Sequence, residues 1–471
     1  MLKSSVTLFI AAFISVSSVQ SLQYAKNGGC TGYDQPPGDK MYYDHFNVIK
    51  PYQDKEQVYF DQKYRDLMSL RVDQYVNMTL INAPPDFKCD LGDDTPCNWV
   101  FTGSSSRALT FWKLYQNTKK TNPAKSKYYL DLARQYIEGS LKDISDKYDD
   151  FISFINGNPG VYAIASVIYD SLGDSTKAQQ FIDKVDVVFS KPMTNKIDYD
   201  DGIPGYFYTL DFLETYYDRP LFSRDNVMRY ASHLFDYGYN HKLENGTLIF
   251  PEPFPDTRTS LGFGRGAAGM LFRLMQVPEV LQNETMVKHI KLTIDYMIAR
   301  QRPDGQVADI QPGMEERVQW CHGAPSATPV FALAYKIFGD QKYLLAADLA
   351  ANYTFNYGVL LKGMGLCHGT SSNIYMILYL YSITKDPKYK YFAIEMHKFA
   401  LDTPTLTDPE KMMSWDCVGQ YSSFIDTAAS AIATYSDMLT YIDGQEENMW
   451  MIGWGKISHK TENQHAHTFL E

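Results

Sequence analysis

Two short stretches of this 471-residue chain carry residue types that bind soft metals: Trp320-Cys321-His322-Gly323 and Leu366-Cys367-His368-Gly369, with the cysteines 46 residues apart. Thiolate and imidazole are ligands zinc prefers. Two sulfurs and one ring nitrogen leave a fourth tetrahedral position for water or an incoming thiol, the pattern of a catalytic rather than a structural site. His322 is a fourth candidate ligand, and its participation would close the site. Spacing does not decide the matter. The pair is not a zinc ribbon, and in an exported chain a Cys321–Cys367 disulfide is an equally natural reading.

Each Cys-His-Gly stretch stands just ahead of a recurring element. A turn of glycine or small residues is followed by an apolar, aromatic-rich helical segment, then a polar turn and a second, amphipathic segment. The turns begin at residues 103, 157, 202, 266, 323, 369 and 426, with gaps of 45 to 64 residues, the size of two helices plus loops. Segments such as IYMILYLY, apolar on every side, belong inside; KYKYFAIEMHKFALD has one polar face and belongs outside. Small residues allow close approach at the helix starts. The expected fold class is therefore all-α, an (α/α) toroid of seven inner and seven outer helices whose turns line one mouth. An open helical solenoid is the rival, but the period is longer than the 34 residues of a tetratricopeptide unit. Both Cys-His-Gly turns should reach the same mouth from adjacent repeats.

The rest of the chain sets the context. A net charge of −11 speaks against nucleic acid, which needs a basic face. Lys3, the apolar run Val6–Val16 and the small residues around Val19-Gln20-Ser21 read as a signal peptide over residues 1–21. Sequons at Asn77, Asn245, Asn283 and Asn352 agree with export to the secretory lumen or outside the cell, and the C-terminus has no retrieval signal. No later run is long enough for a transmembrane segment. Residues 22–55 read as an irregular arm, 56–445 as one toroid domain and 446–471 as a tail. Cys89 and Cys97 bracket a turn and could pair locally, while pairing of Cys30 and Cys417 stays open. Monomer is the default.

WCHGAP followed by GLCHG resembles the zinc-binding turns of eukaryotic members of the lanthionine synthetase C-like (LanC-like) family, relatives of the bacterial lantibiotic cyclases. Ser153–Gly160 (SFINGNPG), the Gly202 turn and Gly266-Ala267-Ala268-Gly269 followed by LMQ are similar in order and spacing, so that the likeness runs from about residue 100 to about 440. The resemblance implies a double ring of helices with one zinc ion at its mouth, held by Cys321, Cys367 and His368. It also implies activation of a thiol for addition to a dehydrated serine or threonine, closing lanthionine rings in bacteria and joining glutathione to such residues in eukaryotic members. By the same resemblance, Asp198 stands near an acidic residue of the cyclases, Arg317 matches a cyclase arginine, and His322 stands where the cyclases have tyrosine. Each has a plainer role as well. Asp198 can cap its turn, Arg317 can be a surface charge beside Glu315 and Glu316, and His322 can orient a ligand.

The chain also departs from the family. Where members usually read GAAHG, this chain reads Gly262-Phe263-Gly264-Arg265-Gly266, so Arg265 replaces the histidine proposed to transfer a proton. Arginine stays protonated and is a poor acid or base, though it clamps carboxylates well. Three functions follow for testing: a zinc-dependent thioether-forming enzyme acting on a thiol-containing small molecule or peptide; a non-catalytic zinc protein that binds thiols or peptides; and a carbohydrate-active enzyme using carboxylates among Asp198, Asp200, Asp201, Glu315 and Glu316.

Overall fold

In the computed structural model, the described residues are 49, 52–53, 60–87, 96–101, 103–251, 259–311, 313–360, 362–408, 428–442, 450–451 and 455–456. The signal peptide, most of the arm, Cys30, Cys89, Cys417, the start of the turn at 426 and most of the tail lie outside them.

The helices are α1 (Gln62–Asn82), α2 (Ser104–Thr118), α3 (Pro123–Lys142), α4 (Asn158–Ser171), α5 (Ser175–Asp186), α6 (Ile203–Tyr217), α7 (Arg224–Asn240), α8 (Ala267–Leu274), α9 (Pro278–Leu281), α10 (Glu284–Ala299), α11 (Ala324–Phe338), α12 (Gln341–Tyr357), α13 (Thr370–Thr384), α14 (Pro387–Leu401), α15 (Pro404–Thr407) and α16 (Ala428–Ile442). One two-stranded antiparallel pair, β1 (Trp450–Met451) and β2 (Gly455–Lys456), follows them.

Two kinds of helix start separate the layers. Outer helices α1, α3, α5, α7, α10, α12 and α14 begin on Asp61, Asn122, Asp174, Ser223, Asn283, Asp340 and Asp386, each side chain accepting a backbone N–H of the first turn. Such caps satisfy otherwise orphaned donors and stabilise a helix by about 1 kcal/mol. Inner helices α2, α4, α6, α8, α11 and α13 begin on Gly103, Gly157, Gly202, Gly266, Gly323 and Gly369 with no side-chain cap. A Cβ at Gly262, in the loop ahead of α8, would lie 1.7 Å from the Cys321 carbonyl oxygen, so only glycine permits these loops to touch.

The ring closes. Inner helices pack in the cyclic order α2, α4, α6, α8, α11, α13, α16 and back to α2, and outer helices pack against their inner partners. The expected toroid is the observed one, with one rearrangement of order: six outer helices follow their inner partners, but the partner of α16 is α1, at the start of the chain. Polar ties brace this seam. Lys113 Nζ lies 2.7 Å from Asp437 Oδ2, which also accepts from Tyr375 Oη, while Asn117 donates to Ser436 Oγ and Asp437 Oδ1. Arg71 on α1 pairs with Asp408 at 3.4 Å. Helix α8 is shorter than its apolar run suggested, because Pro278 opens a separate short helix.

Candidate metal centre

Cys321 and His322 sit in the loop before α11, and Cys367 and His368 in the loop before α13, so adjacent inner helices present them. A β-bridge between Gln319 and His322 folds the first loop into a tight turn. Gly323 completes it at φ +85°, where a side chain would be strained and its Cβ would meet the Arg317 carbonyl. Trp320 anchors the turn by packing on Tyr199 and Phe263, 5.8 and 5.5 Å between ring centroids. Ser326 and Ser372 each donate to the carbonyl three residues back, at Gly323 and Gly369, as Ser106 does at Gly103.

One ligand atom each from Cys321, Cys367 and His368 lies within 4.8 Å of the others. Two sulfurs about 2.3 Å from one tetrahedral zinc stand roughly 3.8 Å apart, so the arrangement fits a single ion. Neither cysteine is in a disulfide in this structure. Cys97, by contrast, is disulfide-bonded, its partner lying outside the described residues. Burial alone would push the Cys321 thiol up. The hydrogen bond from Cys367 and the neighbouring His368 and His322 outweigh it and hold the group well below the usual thiol range, as a thiolate.

Around the thiols lies a shell that the motif did not reveal. Gln319 Nε2 donates to Cys321 Sγ at 3.0 Å, and Lys362 Nζ donates to Gln319 Oε1 at 3.3 Å. His322 stands outside the three-ligand group. Its Nδ1 lies 2.6 Å from Asp309 Oδ2, and the ring also hydrogen-bonds the Cys321 sulfur. Burial pulls the His322 pKa down, but those two partners prevail and raise it to about 9. Burial likewise pushes Asp309 up, and the His322, Leu261 and Ser260 bonds bring it below the ordinary carboxylate range.

The acidic candidates gather beside the centre. Asp198 is buried and does hold its turn: its Oδ1 accepts from the Asp201 N–H and its carbonyl from the Gly202 N–H. Burial first, then Asp201 and Asp200, push its pKa well above the carboxylate range. Asp200, not Asp198, feels the Cys321 charge directly. Burial raises it to about 6 although Arg265 opposes the shift. Arg265 Nε lies 3.0 Å from Asp200 Oδ2, so the arginine that replaces the family histidine clamps a carboxylate of its own chain. Asp201 accepts from Asn156. Arg317 is half-buried; its main chain is engaged with Met314 and Gln306. Glu316, which was to flank it, pairs with Arg302 instead.

A closed double ring of helices with a thiol–imidazole group at one mouth defines the class. The sequence model of the family described as "Lanthionine synthetase C-like protein" matches residues 98–416, and the chain belongs to that family. Among curated relatives, it is 26% identical over 274 residues to zebrafish (Danio rerio) "Glutathione S-transferase LANCL1", covering 56% of this chain and 66%, just under two thirds, of the relative. It is 23% identical over 327 residues to Arabidopsis thaliana "LanC-like protein GCL1", covering 66% of this chain and 73% of the relative. Among solved structures, "Nisin cyclase" superimposes with a TM-score of 0.55 at 13% identity, covering 81% of this chain and 99% of that one, a likeness of fold.

Proposed function

We propose that this protein holds one zinc ion through Cys321, Cys367 and His368 and activates a thiol for addition to dehydroalanine- or dehydrobutyrine-type residues. The observation that carries the reading is the convergence of those three ligand atoms within 4.8 Å, with Cys367, His368 and His322 lowering the Cys321 pKa. The zebrafish relative's name, a glutathione S-transferase, agrees with thiol transfer and suggests glutathione or a cysteine peptide as the thiol. Bound zinc would supply a Lewis acid that keeps the incoming thiol deprotonated.

The chain's residues account for the remainder. The thiolate sulfur forms a C–S bond to the β-carbon of the acceptor, the double-bond pair moves to the α-carbon, and a proton must reach that carbon. With arginine at 265, Asp198, its pKa raised to about 8, and His322, raised to about 9, are the groups that hold a proton near neutral pH. Lys362 and Arg265 supply positive charge for substrate carboxylates. The uncapped starts of the inner helices add partial positive charge at the mouth.

Metal analysis tests the first half: one zinc per chain, lost in Cys367→Ala. Incubation with glutathione and a dehydroalanine peptide tests the second, with a thioether adduct expected by mass spectrometry. A Cys321–Cys367 disulfide in the metal-free protein would overturn the proposal. The Asp200–Arg265 pair favours a second reading, a zinc protein that binds thiols or peptides without catalysis; stoichiometric zinc without adduct would support it, and adduct formation restored by Arg265→His would locate the loss. Of the carboxylates the carbohydrate-active reading would use, Asp200 and Glu316 are engaged in ion pairs. We further propose that the protein is exported, with residues 1–21 as its signal peptide; the Cys97 disulfide suits an oxidising compartment.

A further inference from the structure

Asp309 is a fully buried carboxylate that no motif pointed to. Its two oxygens divide four donors cleanly. Oδ1 accepts the backbone N–H groups of Leu261 and Gln311, at 3.0 and 3.1 Å. Oδ2 accepts Ser260 Oγ and His322 Nδ1, at 2.8 and 2.6 Å. One oxygen therefore ties two loops together, and the other grips the imidazole next to Cys321. The Asp309 side chain is 0% exposed and that of His322 is 14% exposed, so little water competes for the bond. Because Oδ2 is an acceptor, the His322 proton must sit on Nδ1. That leaves Nε2 as the second nitrogen of a ring that also bonds the Cys321 sulfur.

We propose that Asp309 is a positioning residue of the metal centre: it fixes the orientation and the Nδ1 proton of His322, and His322 in turn fixes the Cys321 sulfur as a ligand. This rests on the reading of Cys321, Cys367 and His368 as a zinc site. Asp309 touches neither the metal ligands nor a substrate; it acts through His322. His322, bonded to the Cys321 sulfur, is the kind of outer partner whose loss changes metal affinity by roughly 10- to 100-fold, and Asp309 acts through it.

The division of labour between the oxygens supplies a selective variant. In Asp309→Asn, the amide oxygen can stay at the Oδ1 position and keep both backbone N–H bonds. The amide nitrogen then replaces Oδ2 and cannot accept from the ring. The loops remain tied while the imidazole is released. The test uses the full chain stripped of metal and titrated with Co(II), read by thiolate-to-cobalt absorption and by chelator competition, with circular dichroism and Tm as checks on folding. Wild type should bind one equivalent. Asp309→Asn should bind about 10- to 100-fold more weakly, with shifted absorption bands and native helix content. In a His322→Ala background, the same substitution should have no further effect, because the ring it acts through is gone. Two results overturn the inference alone: wild-type affinity and spectrum in Asp309→Asn, or an equal loss with and without His322. Absence of Co(II) binding by the wild type, or binding unaffected by Cys367→Ala, would instead bring down the zinc reading beneath it.

Discussion

Acid should loosen this ring through a histidine that is not part of the metal centre. His397 on α14 is 0% exposed, and neither ring nitrogen has a hydrogen-bond partner among the described residues. It is walled by the edges of Phe60 and Tyr435, with centroids 5.6 and 5.5 Å away, and Arg71 lies within electrostatic reach of Tyr435. Burial pushes its pKa from 6.5 down to about 3. The unfolded chain therefore binds a proton between those values that the folded chain refuses, and stability falls as pH drops through 6.5. The linkage amounts to about 2 kcal/mol lost between pH 7.5 and pH 5, growing to about 4 kcal/mol near pH 3. Asp198 and Asp200, with raised pKa values, work in the opposite sense, gaining stability as pH falls. They are common to wild type and variant and cancel in a difference. Urea unfolding of wild type and His397→Leu at pH 7.5 and 5.0 should show the variant relieved of about 2 kcal/mol of acid destabilisation. Equal pH dependence in the two proteins would refute the reasoning.

Two buried cations should behave oppositely when replaced by methionine. Lys113→Met leaves Asp437 buried with only Asn117 and Tyr375 as donors and should cost about 3 kcal/mol. Arg107 is 1% exposed and faces the rings of Tyr136 and Phe87; its Nε and Nη1 lack partners, and no carboxylate shifts its pKa. Arg107→Met should change stability by no more than about 1 kcal/mol, or raise it, both variants being compared with wild type by urea unfolding. If the chain enters the secretory lumen, glycopeptide mapping should find sugar at Asn77 and Asn245, which are exposed. Asn352, half-buried and donating to the Asp348 carbonyl, should be bare.

The toroid was legible because its inner helices all begin the same way. Six of the seven turns read from small residues begin on the glycine just before an inner helix that has no side-chain cap, and the ligand pair was legible because it precedes two of those starts. What escaped was everything that depends on loops meeting across turns. Asp309, Gln319 and Lys362 lie in irregular stretches with no period to reveal them. Asp200 was outranked by Asp198, two residues away, because sequence position cannot tell which of them faces the thiol. The one usable signal was length: the connection between α10 and α11 is long for a helical pair, and long connections tend to carry function. The pairing of α1 with α16 was hidden for a different reason, since nearly the whole chain separates the two.

That pairing has a consequence for how the protein is made. Six hairpins can assemble as they leave the ribosome, each against its predecessor, but the seventh needs the first helix and the last. Until residue 442 has emerged, α1 lacks its inner partner α16, and Lys113 on α2 has no Asp437 to pair with. Closure is thus a single late event with a very long loop to close, slow by nature and exposed to misassembly. Truncation at either end should then open the whole circle rather than trim one repeat, and a nascent chain of this protein is a natural client for a chaperone that holds it until the clasp is complete.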